Sequence, residues 1–157
     1  KQNTNTIIVI GTDGSCNSAH KLSQLSIQTI GVPGTIDNNI TFTDVTIGFD
    51  TAVSIVLDVI NKLQDTMCSH KCSSVVEVMG RHCGDIALYA GLASGVEAIL
   101  VPKVPYGLYA ICKCMEHNIA IGKLHSILVV AEGVGNSHDI AKEIAVHYNI
   151  DPHVTIL

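Results

Sequence analysis

Arginine is nearly missing from this chain of 157 residues: eight of the nine basic residues are lysine, and Arg81 is the single arginine. Arginine is the usual bidentate partner of phosphate, so any phosphate group here must rely on backbone N–H groups, lysines, helix N-termini or a metal ion. Charge is sparse as well, at 15% of residues with a net charge of −5. The sequence therefore lacks the basic stripe of a nucleic-acid-binding protein.

Tryptophan is absent, and no apolar run approaches the roughly 18 residues that a membrane span needs. No signal-peptide pattern opens the sequence. The six cysteines include no CxxC pair, and the ligand spacing typical of zinc sites does not occur. These absences predict a soluble cytoplasmic protein with reduced thiols and without a nucleic-acid or membrane partner. The chain starts without Met and stops within an apolar run, so we expect an interior part of a larger protein.

Short β-branched runs alternate with helical patterns along the whole chain. Strands are predicted over residues 6–10, 27–32, 75–78, 98–101 and 127–131, with another beginning at 154. Helices are predicted over residues 18–25, 50–66, 84–93, 109–121 and 137–147. This alternation is typical of an α/β fold in which a mostly parallel sheet carries helices on both faces, as in three-layer Rossmann-like lobes. Ligands of such folds bind beyond the carboxyl ends of the strands, so the loops there are the candidate sites.

The first of these loops reads GTDGS and follows the strand at residues 6–10. Glycines at a strand-to-helix junction let the backbone approach a phosphate group. Asp13 beside them would repel phosphate unless Mg²⁺ lay between, and Mg²⁺ prefers a carboxylate together with phosphate oxygens. An ordinary strand-to-helix turn would also account for this loop.

Three further loops carry candidate chemistry. The loop PGTIDNN holds Asp37, which could act as a general base, and Thr35, which could hold a substrate oxygen, although an Asx-turn is the simpler explanation. The loop MGRHCG places Arg81 after a strand and before a helix. Glu132 ends its strand and could accept hydrogen bonds from sugar hydroxyls, or it could be a solvated carboxylate.

Taken in order, these segments resemble the ATP-dependent 6-phosphofructokinases of bacterial type. The resemblance rests on GTDGS, on VPGTIDNNI with TDVTIGFDTA, on SVVEVMGRHCGD and on LHSILVVAEG. It implies two facing α/β lobes, with residues 1–48 in the nucleotide-binding lobe and residues 49–157 in the sugar-phosphate-binding lobe. It also implies a homotetramer and the ATP-dependent phosphorylation of fructose 6-phosphate at its 1-hydroxyl, which gives fructose 1,6-bisphosphate.

The resemblance further implies catalytic roles for individual residues. Asp13 would hold the catalytic Mg²⁺, Asp37 would be the base for the 1-hydroxyl, and Arg81 would offset charge on the transferred phosphoryl group. The phosphates of ATP, the phosphoryl donor, would be lined by Gly11, Thr12, Gly14 and Ser15. Relatives that use pyrophosphate carry Asp and Lys where this chain has Gly14 and Gly34, so the two glycines favour ATP.

Substrate and effector contacts are implied in the same way. Fructose 6-phosphate would contact a set of residues from three loops: Thr35, Ile36, Asp37, Met79, Gly80, Arg81 and Glu132. A nucleotide effector site between subunits would be formed by Gly95, Val96, Glu97, Lys123, Leu124 and His125.

Several positions depart from the family pattern. Thr12 replaces a glycine of the phosphate loop, Asn39 replaces an aspartate, and Cys72 stands where the family has an arginine that reaches the neighbouring subunit's sugar phosphate. Gln64 and Ile121 stand where the effector site has basic groups, so we expect weak or absent activation by ADP. We also expect the 157 residues alone to be inactive, because segments that hold the 6-phosphate are missing.

Two other functions stay open at this stage. The departures are compatible with a catalytically silent or regulatory subunit of the same fold. Another kinase with a GGDG-type loop, such as a lipid or NAD kinase, is disfavoured by the MGR and TID loops.

Overall fold

The computed structural model describes residues 5–70, 72–123, 125–148 and 150–157. The chain divides into two compact units, Lys1–Thr51 and Ala52–Leu157. Both units are built from parallel strands and helices, which confirms the predicted α/β class. None of the described helices is both long and apolar enough to cross a membrane.

The first unit contains a three-stranded parallel sheet of order β1-β2-β3. Its strands are β1 (Thr6–Gly11), β2 (Gln28–Thr35) and the short β3 (Ile47–Gly48), and helix α1 (Asp13–Gln24) connects the first two. The hydroxyl of Thr29 donates to the carbonyl oxygen of Ala19 at 3.0 Å, which fastens α1 to β2. Alternate residues of β1 are exposed, among them Ile8 and Ile10.

Helix α2 (Phe49–His70) begins in the first unit and continues into the second. The second unit has a four-stranded parallel sheet of order β5-β6-β4-β7. Its remaining elements are β4 (Ser73–Val78), α3 (Asp85–Ser94), β5 (Ala98–Leu100), α4 (Leu108–Ala120), β6 (Ser126–Ala131), the 3-10 helix η1 (Glu132–Val134), α5 (Ser137–Tyr148) and β7 (Pro152–Ile156).

The core of the second unit surrounds its two central strands. Every residue of β6 is buried, and β4 is buried at all positions except the half-buried Glu77. Successive side chains of a strand point to opposite faces, so both faces of these strands are covered, as a parallel sheet requires. One side of the core packs Val75, Leu128 and Val130 with residues of α4 and α5 such as Met115 and Ile144.

The predicted elements all occur, but several boundaries were wrong. Helix α1 begins at Asp13 rather than at residue 18, so Asp13, Gly14 and Ser15 lie in its first turn. Strand β2 continues to Thr35, three residues beyond the predicted end, because Gly34 and Thr35 pair with β3. Helix α2 runs four residues past its predicted end.

Candidate active site

The glycine-rich loop after β1 turns directly into the first turn of α1. The backbone of Thr12 is extended at φ −77° and ψ −179°, and its carbonyl oxygen accepts a hydrogen bond from the N–H of Cys16 at 3.0 Å. A threonine is unstrained in this conformation, so the backbone at position 12 does not require glycine. A Cβ on Gly14 would meet its nearest neighbour, Oγ1 of Thr12, only at 4.0 Å. The backbone of Gly14 is therefore uncrowded on that side.

Asp13 is the first residue of α1 and places a carboxylate at the N-terminus of this helix. Its Oδ1 accepts a hydrogen bond from Nδ2 of Asn17 at 3.3 Å, and the residue is exposed. The described residues contain no cluster of three or more His, Cys, Asp or Glu side chains that could hold a metal by themselves. A single carboxylate suits Mg²⁺, which keeps several waters and takes its other ligands from substrate phosphates. The donor set at Asp13 thus fits the implied ion.

The loop after β2 fixes Asp37 through its backbone. The N–H of Asp37 donates to Oγ1 of Thr35 at 3.1 Å, and its carbonyl oxygen accepts from the hydroxyl of Thr46 at 3.2 Å. The N–H of Thr46 donates in turn to Oδ1 of Asn38 at 3.2 Å. Asp37 is 9% exposed. Both of these hydrogen bonds use the backbone of Asp37, so they position the residue without engaging its carboxylate.

Both candidate carboxylates lie at the same edge of one sheet. Strands β1 and β2 are parallel neighbours with Gly11 opposite Pro33, and their carboxyl ends lead to Asp13 and Asp37 respectively. The strands approach closely here, because a Cβ on Gly34 would lie 2.8 Å from Cγ2 of Ile10. A side chain at position 34 would therefore require Ile10 to shift.

In the second unit, the loop after β4 holds Arg81 in a left-handed backbone conformation. Its φ is 46°, and Gly80 before it has a φ of 140°. The N–H of Arg81 donates to Oε1 of Glu132 at 2.5 Å. An arginine with positive φ is uncommon and must be stabilised by its surroundings. The structure therefore brings together two of the residues predicted to contact fructose 6-phosphate, and Glu132 anchors the loop that carries Arg81.

Loops after three neighbouring strands meet around this contact. A Cβ on Gly133 would overlap the carbonyl oxygen of Arg81, so the loop after β6 packs tightly on the loop after β4. A Cβ on Gly84 would lie 2.8 Å from Cδ of Pro102, which follows β5. Arg81 and Met79 remain exposed. The arrangement places the exposed Arg81 at the carboxyl edge of the four-stranded sheet.

The predicted effector residues form a separate region of the second unit. Glu97 carries a buried carboxylate that forms an ion pair with Lys123 and accepts hydrogen bonds from the N–H of Ile127 at 2.6 Å and from Nδ2 of Asn118 at 3.4 Å. Gly95, with a φ of 64°, ends α3 and precedes Val96. Leu124 lies outside the described residues. Glu97 therefore serves the fold of this unit, with Lys123 as its partner.

Two residues that position the site were missed by the sequence analysis. Thr46 holds the carbonyl of Asp37 from nine positions away, and no pattern in the sequence marks that hydrogen bond. Gly133 packs on Arg81, and its place directly after Glu132 at a strand end is a signal that could have identified it.

Comparison with known proteins supplies the family. The whole chain, residues 1–157, matches the family described as phosphofructokinase. It is 59% identical over all of its length to an ATP-dependent 6-phosphofructokinase of Paenibacillus macquariensis and covers 49% of that protein. It is 54% identical over 96% of its length to an ATP-dependent 6-phosphofructokinase of Clostridium tetani and covers 47% of that protein. The chain thus spans about half the length of the curated relatives it matches.

Solved structures of phosphofructokinases are similar to this chain in fold. The chain resembles phosphofructokinase from Saccharomyces cerevisiae with a TM-score of 0.86 at 29% identity, over 98% of this chain and 25% of that one. It resembles a pyrophosphate-dependent phosphofructokinase from Nitrosospira multiformis with a TM-score of 0.87 at 25% identity, over 97% of this chain and 44% of that one.

Proposed function

Since the chain belongs to the phosphofructokinase family, we propose that it supplies catalytic residues for the ATP-dependent phosphorylation of fructose 6-phosphate at the 1-hydroxyl. The observation that carries the proposal is the 59% identity, over the whole chain, to a relative named as an ATP-dependent 6-phosphofructokinase. The geometry supports it, because Asp13 and Asp37 follow neighbouring strands at one edge of a sheet.

The turn from β1 into α1 is the proposed phosphate cradle for ATP, formed by Gly11, Thr12, Gly14 and Ser15. Backbone N–H groups at a helix N-terminus attract negative charge, which compensates for the shortage of arginine. The uncrowded backbone at Gly14 would let a nucleotide phosphate approach it closely.

Asp13 is the proposed Mg²⁺ ligand. A bound Mg²⁺ would neutralise charge on the phosphates of the donor and help to align them. Asp13 contributes a carboxylate that is exposed and held by Asn17, so it needs no rearrangement to serve as a ligand.

Asp37 is the proposed general base. As the oxygen of the sugar 1-hydroxyl bonds to the γ-phosphorus and the bridging P–O bond breaks, the hydroxyl proton passes to the carboxylate. A sugar hydroxyl is a very weak acid, so the proton moves late, when P–O bonding is advanced. The two backbone hydrogen bonds to Thr35 and Thr46 hold the base in position, and Thr35 and Ile36 lie beside it for contact with the sugar.

In the second unit, Arg81 is the proposed partner of substrate phosphate. Its charge would offset the negative charge that spreads over the transferred phosphoryl group. Met79 and Gly80 of the same loop would contact the sugar phosphate. Glu132 uses Oε1 to hold the N–H of Arg81, which leaves Oε2 to accept a hydrogen bond from a sugar hydroxyl.

Further parts of the proposal follow from the resemblance rather than from the geometry. We propose that the protein is cytoplasmic and assembles as a homotetramer. Residues 1–48 would belong to a nucleotide-binding lobe and residues 49–157 to a sugar-phosphate-binding lobe. The nucleotide effector surface would comprise Gly95, Val96, Glu97, Lys123 and His125 together with Leu124.

A chimeric enzyme tests the proposal. The 157 residues replace the matching stretch of the Paenibacillus macquariensis relative, and formation of fructose 1,6-bisphosphate is followed with ATP and with pyrophosphate as donors. We expect turnover with ATP and none with pyrophosphate, and none from the 157-residue chain alone.

The controls separate the alternatives. The unmodified relative, assayed in parallel, shows that the assay works, and circular dichroism shows that the chimera is folded. A folded chimera that binds fructose 6-phosphate without turning it over would contradict the proposal and favour a catalytically silent subunit. Turnover with pyrophosphate in place of ATP would overturn the assignment of the donor.

A further inference from the structure

A thiol and an imidazole form a close pair in the second unit, outside the residues assigned to phosphoryl transfer. Cys68 lies in the last turn of α2 and is exposed. His125 directly precedes β6 and is half-buried. Sγ of Cys68 and Nδ1 of His125 are 3.1 Å apart, within hydrogen-bond distance. A nucleophile and a base in hydrogen-bond contact are the arrangement by which proteins activate a thiol.

The pair sets Cys68 apart from the other cysteines. Cys112 is fully buried, and Cys16, Cys72 and Cys83 are partly buried. Cys114 on α4 is exposed like Cys68, but no ring nitrogen of a described histidine lies within hydrogen-bond distance of its sulfur. Cys68 is therefore the described cysteine that combines full access to solvent with a histidine partner.

Cys68 and Cys114 occupy different positions in their helices. The C-terminal end of a helix carries partial negative charge, which disfavours an anion in the last turn. Cys114 lies in the middle of α4, where this effect is weaker. This helix effect favours reaction at Cys114, so it does not produce the faster reaction that the histidine partner predicts for Cys68.

We propose that Cys68 is a thiol-modification site that reacts with small organic disulfides, with His125 as the proton acceptor. The thiol proton passes to Nδ1 of His125 as Sγ attacks one sulfur of the disulfide. A new S–S bond forms between Sγ and that sulfur, and the other sulfur leaves as a thiolate, which takes up the proton. Two electrons move from the protein thiol to the departing thiol, so the disulfide reagent is the oxidant.

Modification would alter the surface around His125. In the mixed disulfide Sγ no longer carries a proton to share with Nδ1, and the attached group lies beside the segment that contains Lys123 and His125. The proposal does not depend on phosphoryl transfer, so it can fail or succeed independently of the proposed function.

Labelling kinetics test the pair. The 157-residue chain is treated with limiting dithionitrobenzoate near neutral pH, and peptide mapping by mass spectrometry gives a rate for each cysteine. We expect Cys68 to react roughly three- to tenfold faster than Cys114, because His125 can accept the proton of the attacking thiol. In His125→Asn, which places an amide where the imidazole stood, the rate of Cys68 falls to that of Cys114 or below.

Internal controls accompany each measurement. The exposed His138 is replaced by Asn as a matched variant and leaves both rates unchanged. Cys112 is buried and stays unlabelled while the second unit is folded, so labelling of Cys112 reports unfolding. If Cys112 is labelled in His125→Asn, the measurement is repeated with His125→Gln. Equal rates for Cys68 and Cys114 in the unaltered chain would overturn the proposal. A labelling rate of Cys68 that is unchanged in His125→Asn would also overturn the proposal.

Discussion

Asp37 shows how a folded chain can fix a residue and still leave its side chain available. The hydroxyls of Thr35 and Thr46 bind its N–H and its carbonyl oxygen, so the backbone of Asp37 is held from both sides. Each such hydrogen bond contributes about 1 kcal/mol. The sequence identified Asp37 and Thr35 from a local motif. It did not identify Thr46, because the contact between residues nine positions apart depends on how the loop folds back.

Cys112 is a residue whose protonation follows from its place in the core. The side chain is fully buried, and desolvation, with smaller contributions from Glu116 and Glu143, raises the pKa of Cys112 above its ordinary value of 9.0. The neutral thiol is thus favoured in the folded chain, while the unfolded chain loses the proton at lower pH. The resulting stabilisation is complete below the unfolded pKa and is lost as the pH rises through the folded pKa.

This predicts a specific dependence on alkaline pH. The free energy of unfolding, measured by urea denaturation, should fall as the pH is raised from 8 through the ordinary thiol pKa near 9. In Cys112→Ala the fall should be shallower, because the buried thiol no longer contributes. Cys114→Ala, which removes an exposed thiol, serves as the control and should keep the slope of the unaltered chain. Parallel slopes for Cys112→Ala and the unaltered chain would contradict this account of Cys112.

Among the elements, the loops after β4, β5 and β6 form one packed set. The N–H of Arg81 donates to Glu132, its carbonyl oxygen packs closely against Gly133, and Gly84 packs on Pro102. The left-handed conformation of Arg81 persists because these neighbours determine it. The position of Arg81 therefore depends on all three loops.

Gly133→Ala tests this dependence in the chimeric enzyme. The added Cβ would overlap the carbonyl oxygen of Arg81, so the two loops must separate. Since small displacements of a catalytic group are costly, we expect kcat/KM for fructose 6-phosphate to fall by roughly 10- to 100-fold. Gly107→Ala is the matched control, because its Cβ would meet no described atom within 4 Å. Equal steady-state kinetics for the two variants would show that the packing of Gly133 does not position Arg81.

The alternation of elements could be read from the sequence because β-branched runs and helical periodicity are local signals. The start of α1 could not, since Asp13, Gly14 and Ser15 are weak helix formers that resemble a turn, and the helix nevertheless includes them. The end of β2 depends on pairing with β3, which lies 12 residues further along the chain. An element boundary that is fixed by such a long-range contact cannot be predicted from the local sequence.

On the scale of the whole molecule, the chain is a family member that spans about half the length of its relatives. The sugar and effector residues were implied by the family resemblance, and the structure adds internal roles for two of them. Glu132 anchors the Arg81 loop, and Glu97, at 3% side-chain exposure, pairs with Lys123 within the fold. A carboxylate with a structural partner has less freedom to bind a ligand, which no motif reveals.

Substitution of the proposed base is the most direct test of the central claim, that Asp37 accepts the proton of the 1-hydroxyl. In the chimeric enzyme, Asp37→Asn keeps the shape of the side chain and removes its basicity. Asp44→Asn makes the same change at an exposed position of the same loop. We predict that Asp37→Asn lowers kcat with ATP by about 10²- to 10⁴-fold with little change in KM for fructose 6-phosphate, and that Asp44→Asn leaves both unchanged. An Asp37→Asn enzyme that retains the kcat of the unaltered chimera would contradict the claim.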